Sequence, residues 1–257
     1  MTATMLSVVP TDHDAALDAL ALRYRAAGGV GMQVLSLVGG RAENLLERLP
    51  DRVKLRLESA TERALYVALD AAGRSRGGRI PDGGKWLTTA ATTAMGAAGG
   101  FGGLPSALAE LPVTTTVLLR AIHGIAEAHG FDPAQDQVRA DCIQVFATAG
   151  PLAHDNGADL GFLAARVTLT GPAMHGVIAR VAPRLATALG QKLAAQTVPV
   201  IGAVAGAATN FAFTSYYQEM AHVQFGLKRL SLESGVAEGL LVEELRARMA
   251  ASRRLRR

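Results

Sequence analysis

Apolar positions recur at helical spacing from end to end of the chain. Leu104, Leu108, Leu111, Thr115, Leu118, Ile122, Ile125 and His129 alternate by four and three, a seam of about 39 Å at 1.5 Å per residue. Pro112 falls inside that seam and predicts a kink or break; Gly130 is placed to close it as a C-cap. Val53, Leu57, Ala60, Ala64 and Ala68 share one face of a helix predicted over 51–72. Ahead of it, Thr11 predicts a first helix over 12–27 that Gly28 and Gly29 stop, and a second runs over 31–48 to Pro50. Asp132-Pro133 reads as N-cap and first helical position of a helix burying Val138, Cys142, Val145, Phe146 and Ala149, with Gly150-Pro151 ending it. Further helices are expected at 155–170, 172–190 and 199–231, with Pro183 and Pro199 as entry or kink points. A last amphipathic one, over 236–251, carries Leu241, Leu245 and Met249. Strand-like alternation of useful length is missing. The expected fold is all-α: a single compact multi-helix domain.

Composition sharpens that picture. Of 257 residues 48 are Ala and 28 are Gly, against one Trp, four Tyr and seven Phe, which suits closely packed helices rather than sheet. Ample apolar surface excludes intrinsic disorder, and a lone Cys142 excludes a disulfide scaffold. Gly96 with Gly100, and Gly202 with Gly206, have the GxxxG spacing that lets helix backbones approach.

Charge is informative mainly by position. The net +4 and a pI near 9.6 suggest nucleic acid, but Arg253, Arg254, Arg256 and Arg257 supply the whole excess. The remainder is neutral, so no nucleic-acid partner is expected. Two stretches lack any Asp, Glu, Lys or Arg: Trp86 to Ala109 and Leu193 to Gln218. Each exceeds the roughly 20 residues that cross a bilayer core, yet Ala, Gly and Thr dominate them where Leu, Ile, Phe and Val would drive insertion. They are expected to be buried helical hairpins or to dip into a membrane interface. The loop over 73–84 holds Arg74, Arg76 and Arg79, and Lys85 precedes Trp86, an interface-preferring side chain, at the start of the first stretch. These residues and the arginine tail are the expected membrane contacts. The N-terminus, acidic by Asp12, lacks the pattern of a signal peptide, so a cytoplasmic location is expected.

Searches for chemistry are mostly negative. Residues 78–86, GRIPDGGKW, miss the phosphate-loop spacing by one residue and place Trp86 where a Ser or Thr belongs. Glu219 and His222 have the spacing used in di-iron bundles, but no second such pair exists. His123 with Glu127 reads as a solvated surface pair, His129 as a helix-end histidine favoured in its charged form, His154-Asp155 as capping chemistry, and His175 as a core or interface group. Cys142 reads as packing, since no basic neighbour shares its face. No metal or cofactor is expected. Within the apolar stretches Glu110, Arg120, Lys192, Gln196, Asn210 and Gln218 stand out. A buried charge needs a partner, so Glu110, Arg120 and Lys192 are expected in one polar cluster, with Asn210 and Gln218 bonding across helices, as packing devices or as a pocket for a head group or small ligand.

Three segments carry a family resemblance: residues 99–130, GGFGGLPSALAELPVTTTVLLRAIHGIAEAHG; residues 131–150, FDPAQDQVRADCIQVFATAG; and residues 190–230, whose core is VPVIGAVAGAATN between QKLAAQ and a downstream Gln-x-x-Ala. Together they resemble the EcsC family of bacterial proteins over about residues 50–235. Residues 1–49 then form N-terminal helices and 236–257 a C-terminal helix with a basic tail. The resemblance implies an all-helical domain in a cytoplasmic or membrane-associated protein, in a family named for a component encoded beside an ABC-type transporter. Relatives carry Asp-His where Ser215, Tyr216, Tyr217 and Gln218 stand here, and a histidine in place of Gln224. The expected function is therefore non-enzymatic: a peripheral protein of the inner membrane face that assists transport or envelope processes. Its expected partners are anionic lipid and a transporter or other protein. The alternatives are a membrane-surface hydrolase acting on lipid or peptide and a soluble helical adaptor.

Overall fold

A computed structural model describes residues 13–38, 46–75, 110–148, 150–152, 173–196 and 202–254. Among them are seven α-helices: α1 His13–Val38, α2 Asp51–Ser75, α3 over 110–128, α4 Asp136–Gln144, α5 Ala173–Gln196, α6 Gly202–Ser234 and α7 Glu238–Arg254. Short 3-10 turns at Leu46–Arg48 and Val145–Ala147 lead into α2 and out of α4. No strand occurs among the described residues, as the apolar spacing predicts.

Helix α6 is the centre of the bundle. From Thr209 to Leu230 it is buried except along a narrow stripe of Phe211, Ser215, Glu219, His222, Gly226 and Arg229, spaced by three and four, together with Lys228. Helix α1 runs along that stripe: Gly226 lies so close to Leu20 that an added Cβ would stand 2.6 Å from its Cδ2, and Arg23 reaches Glu219. Helices α5 and α7 cover other sides of α6, and α2 packs on α5. One apolar cluster joins Leu17 and Leu20 of α1, Leu65 of α2, Ile122 of α3, Phe146, Leu185 of α5, Phe213 and Phe225 of α6 and Leu245 of α7. Helix α7 is fastened to α1 by Arg248, which donates to the carboxylates of Asp14, Asp18 and Glu244.

Several helix boundaries differ from expectation. Gly28 and Gly29 do not end α1, which continues to Val38. Two helical glycines cost about 2 kcal/mol relative to alanine, and the α1–α6 interface outweighs that. Residues 110–128 are helical without a break at Pro112: the ring and the missing donor disturb the turn before a proline, not the one it leads. Thr115 and Thr116 bond back to the carbonyls of Leu111 and Pro112. Asp132 does not cap α4. Its carboxylate accepts from the Ala134 amide at 2.8 Å, forming a turn, and α4 begins at Asp136 after Gln135. Pro183 lies inside α5 on an exposed face. Gly130 does close α3, at φ +85°, with Phe131 N–H bonding to Ala126 O and Gly130 N–H to Glu127 O, the two bonds of a Schellman cap.

Close helix packing occurs at several described glycines. Gly202 and Gly206 lie in the first turns of α6; Gly96 and Gly100 lie outside the described residues. Among the described residues the tight approaches are Gly226 on Leu20, Gly190 of α5 on Leu46 and Leu57, and Gly150 on Ala188. No described helix is long and apolar enough to cross a membrane. Of the two charge-free stretches, Trp86–Ala109 lies outside the described residues, and the described part of Leu193–Gln218 closes α5 and opens α6.

Gly150 has φ +88°, and a Cβ there would lie 2.8 Å from the Ala188 Cβ. Neither the strain nor the contact can relax by a rotamer change, so Gly150→Ala is expected to cost about 2 kcal/mol or more. Urea unfolding reads this as a lower midpoint at unchanged slope; an unchanged midpoint would show that α5 has room to yield.

Candidate functional site

A helix buried on nearly all sides must have its polar side chains answered by neighbours. At the N-terminal end of α6 the Asn210 amide donates to Glu110 Oε1 at 2.9 Å. The same oxygen accepts from Lys192 Nζ of α5 at 3.2 Å and from the Thr114 hydroxyl at 2.9 Å. Lys192 is 1% exposed and Glu110 8%. Among the described residues Glu110 Oε2 is buried without a hydrogen-bond partner. Burial pushes the Lys192 ammonium below its ordinary range, and the Glu110 carboxylate beside it opposes that shift. Glu110 is the first charge after the stretch 86–109, and Lys192 the last before 193–218. The fold thus brings together the two charges that bound the apolar runs.

Further along α6 three more ties follow. Glu219 accepts from Arg23 of α1 at 2.8 Å. His222 Nδ1 lies 3.1 Å from His129 Nε2, beyond the end of α3. Gln224 donates to the Asp141 carbonyl at 3.0 Å, while Lys228 pairs with the Asp141 carboxylate, which also accepts from Gln137. Burial pushes the Asp141 carboxyl up, with Lys228 and Gln137 pulling it back.

The structure places the predicted residues unevenly. Glu110, Lys192 and Asn210 meet. Arg120 does not join them: it lies about 15 Å farther along α3 and is partly exposed. Gln218 is buried two turns beyond Asn210 on α6, and Gln196 is the last residue of α5. Among the expected membrane contacts, Arg74 lies in the last turn of α2 and Arg253 and Arg254 end α7. Arg76, Arg79, Lys85, Trp86, Arg256 and Arg257 lie outside the described residues, as does His154-Asp155. Three histidine readings need correction. His123 is buried while Glu127 is exposed, so they share no solvated face. His175 is exposed and rests against the Tyr66 ring at 5.3 Å. His129 is held below the ordinary histidine range by burial and by the charges of Arg229 and Arg23, which favours its neutral form; these outweigh the helix end.

Two arrangements escaped the sequence reading. Asp141–Lys228 carries only a faint signal, the i, i+4 spacing of Gln137 with Asp141 and of Gln224 with Lys228. The other is a surface: the first turns of α2 expose Arg52, Lys54 and Arg56 around Leu55, which is 83% exposed. Leu57 in the next turn packs at Gly190, two residues from Lys192, so this patch and the Glu110 centre share one end of the bundle. Among the described residues no group of three His, Cys, Asp or Glu is arranged to hold a metal. Tyr217 packs against Phe146 and Phe213.

Residues 79–230 match the EcsC protein family. The chain belongs to that family. No curated protein and no solved structure matches it. The EcsC match contains Glu110, Lys192 and Asn210, whereas α1 and α7, which close the bundle around α6, lie outside it.

Lys192→Met alone strands Glu110 in the interior and is expected to cost about 3–5 kcal/mol, while the double variant Glu110→Gln/Lys192→Met recovers most of that loss. A double-mutant cycle on urea unfolding measures the coupling; strictly additive losses would show that the two charges act separately. His129 generates a pH effect. Its folded value is lowered, so the unfolded chain takes up the proton first; this contribution is fully present above about pH 6.5 and declines as pH falls below it. His129→Asn is expected to flatten that decline below about pH 6.5, and an unaltered profile would assign it to other groups.

Proposed function

We propose that this EcsC-family chain is a peripheral protein of an anionic membrane face, where it binds lipid and assists a transport or envelope process rather than carrying out a reaction of its own. The observation that carries this reading is Leu55, exposed among the exposed cations Arg52, Lys54 and Arg56. Three cations near a helix N-terminus oppose the helix dipole, and a leucine left in water gives up its burial energy. Lys54 also pairs with Asp51 in the first turn at 3.3 Å, but the exposed Leu55 adds nothing to the fold, and the patch suits an anionic bilayer: cations for phosphates, an apolar side chain for the acyl boundary.

The surroundings support it. Val113 and Phe211, 51% and 42% exposed, neighbour Glu110 and Asn210 in sequence and so lie at the same end of the bundle. Helix α5 ends there at Gln196, α6 begins there at Gly202, and α3 is described from Glu110 onward. Helix α7 runs beside the first half of α1, as His13–Glu244 and Arg248–Asp18 show, and ends partway along the bundle. The α2 patch is thus the principal contact and the tail a secondary one.

Flotation with vesicles containing an anionic phospholipid tests the reading. The chain is expected to co-float at low salt and to release at high salt. Arg52→Gln/Lys54→Gln/Arg56→Gln is expected to weaken binding on the order of a hundredfold, and removal of residues 253–257 by less, although the tail carries more cations. No flotation at low salt, or a larger loss from the tail deletion, would overturn the assignment.

A further inference from the structure

Hydrogen bonding at Glu110 is lopsided. Lys192 Nζ, Asn210 Nδ2 and Thr114 Oγ1 all converge on Oε1, while Oε2 is buried with no donor among the described residues. A carboxylate's two oxygens are chemically equivalent, so Glu110 itself gives no reason to load one and leave the other. A buried charged acceptor without a donor is costly. The ammonium of Lys192 has three N–H groups, and its hydrogen bond is to that same Oε1. Among the described residues one acceptor, and part of the donor bonded to its sister oxygen, are therefore unanswered in the interior.

A group that answers both must donate to Oε2 and accept from Nζ. It must also carry no net charge, because Glu110 and Lys192 already neutralise each other and a third buried charge would have no counterpart. Ammonium and carboxylate ligands fail that condition. A hydroxyl meets it, being donor and acceptor at one atom. We propose that the Glu110–Lys192 pair is a binding site for a hydroxyl of a polyol. Two sources present that chemistry, a free glycerol-like molecule and the glycerol headgroup of a lipid. The site lies at the same end of the bundle as Leu55 and its cations, the end from which a lipid headgroup would approach. The lipid arm rests on the membrane reading above; the free-polyol arm does not.

The test uses the full chain and two vesicle preparations of equal charge, phosphatidylcholine with phosphatidylglycerol and phosphatidylcholine with phosphatidylmethanol. Only the first has headgroup hydroxyls. Wild type is expected to bind the first about fivefold or more tightly, and Glu110→Gln/Lys192→Met, which buries no lone charge, to bind both alike. Equal binding by wild type, or a preference that survives the double substitution, overturns the proposal. If neither vesicle is bound, the membrane reading fails by itself, and the soluble headgroup glycerophosphoglycerol then decides by calorimetry. Binding is expected for wild type and not for the double variant; no difference overturns the site. A crystal structure grown with glycerophosphoglycerol that shows water alone between Oε2 and Nζ overturns both arms.

Discussion

Helix α6 is enclosed by its neighbours around most of its circumference, and each polar group it carries has to be answered from another element. That constraint organises the bundle. Asn210 is answered through Glu110 on α3, Glu219 by Arg23 on α1, His222 by His129 beyond α3, and Gln224 and Lys228 by Asp141 on α4. Apolar packing alone tolerates a helix sliding or turning against its neighbours. A series of directional bonds at successive levels does not. The ties thus set the rotation and register of α6, and through it the position of α1, α3 and α4.

The Glu110–Lys192 pair has a second consequence. Its two members border the charge-free stretches in sequence and meet at one buried point. Exchanging such a pair for apolar groups is often harmless to stability, whereas removing one member is not. Its retention in so apolar a setting is therefore better explained by what it positions or binds than by the stability it adds. The basic, leucine-bearing start of α2 shares this end of the bundle, which links the interior polar centre with the surface assigned to the membrane.

Much of this was legible along the chain. The all-α fold follows from apolar spacing and from the shortage of β-branched runs. The pairing of Glu110 with Lys192 and the reach of Asn210 followed from the cost of burying charge. What escaped notice has physical reasons. Gly28 and Gly29 looked like a stop because local propensity counts each glycine against a helix, while the gain from packing α1 on α6 is non-local. His123 looked solvated because it falls off one leucine seam, although a central helix bundle covers more than one face. Asp141 and Lys228 lie too far apart in sequence, with ordinary neighbours, for spacing to couple them.

The amino-acid sequence by itself determined the helices, the apolar character of the two uncharged stretches and the identity of the charges that must be paired on burial, because these depend on local periodicity and on the solvation of single groups. Only the tertiary structure decided which glycines make the close contacts, which histidines meet and that Leu55 stands in solvent among three cations. Those outcomes depend on how helices distant in the chain are rotated against α6, and a rotation of one helix exchanges its buried face for its exposed one without changing the sequence pattern at all.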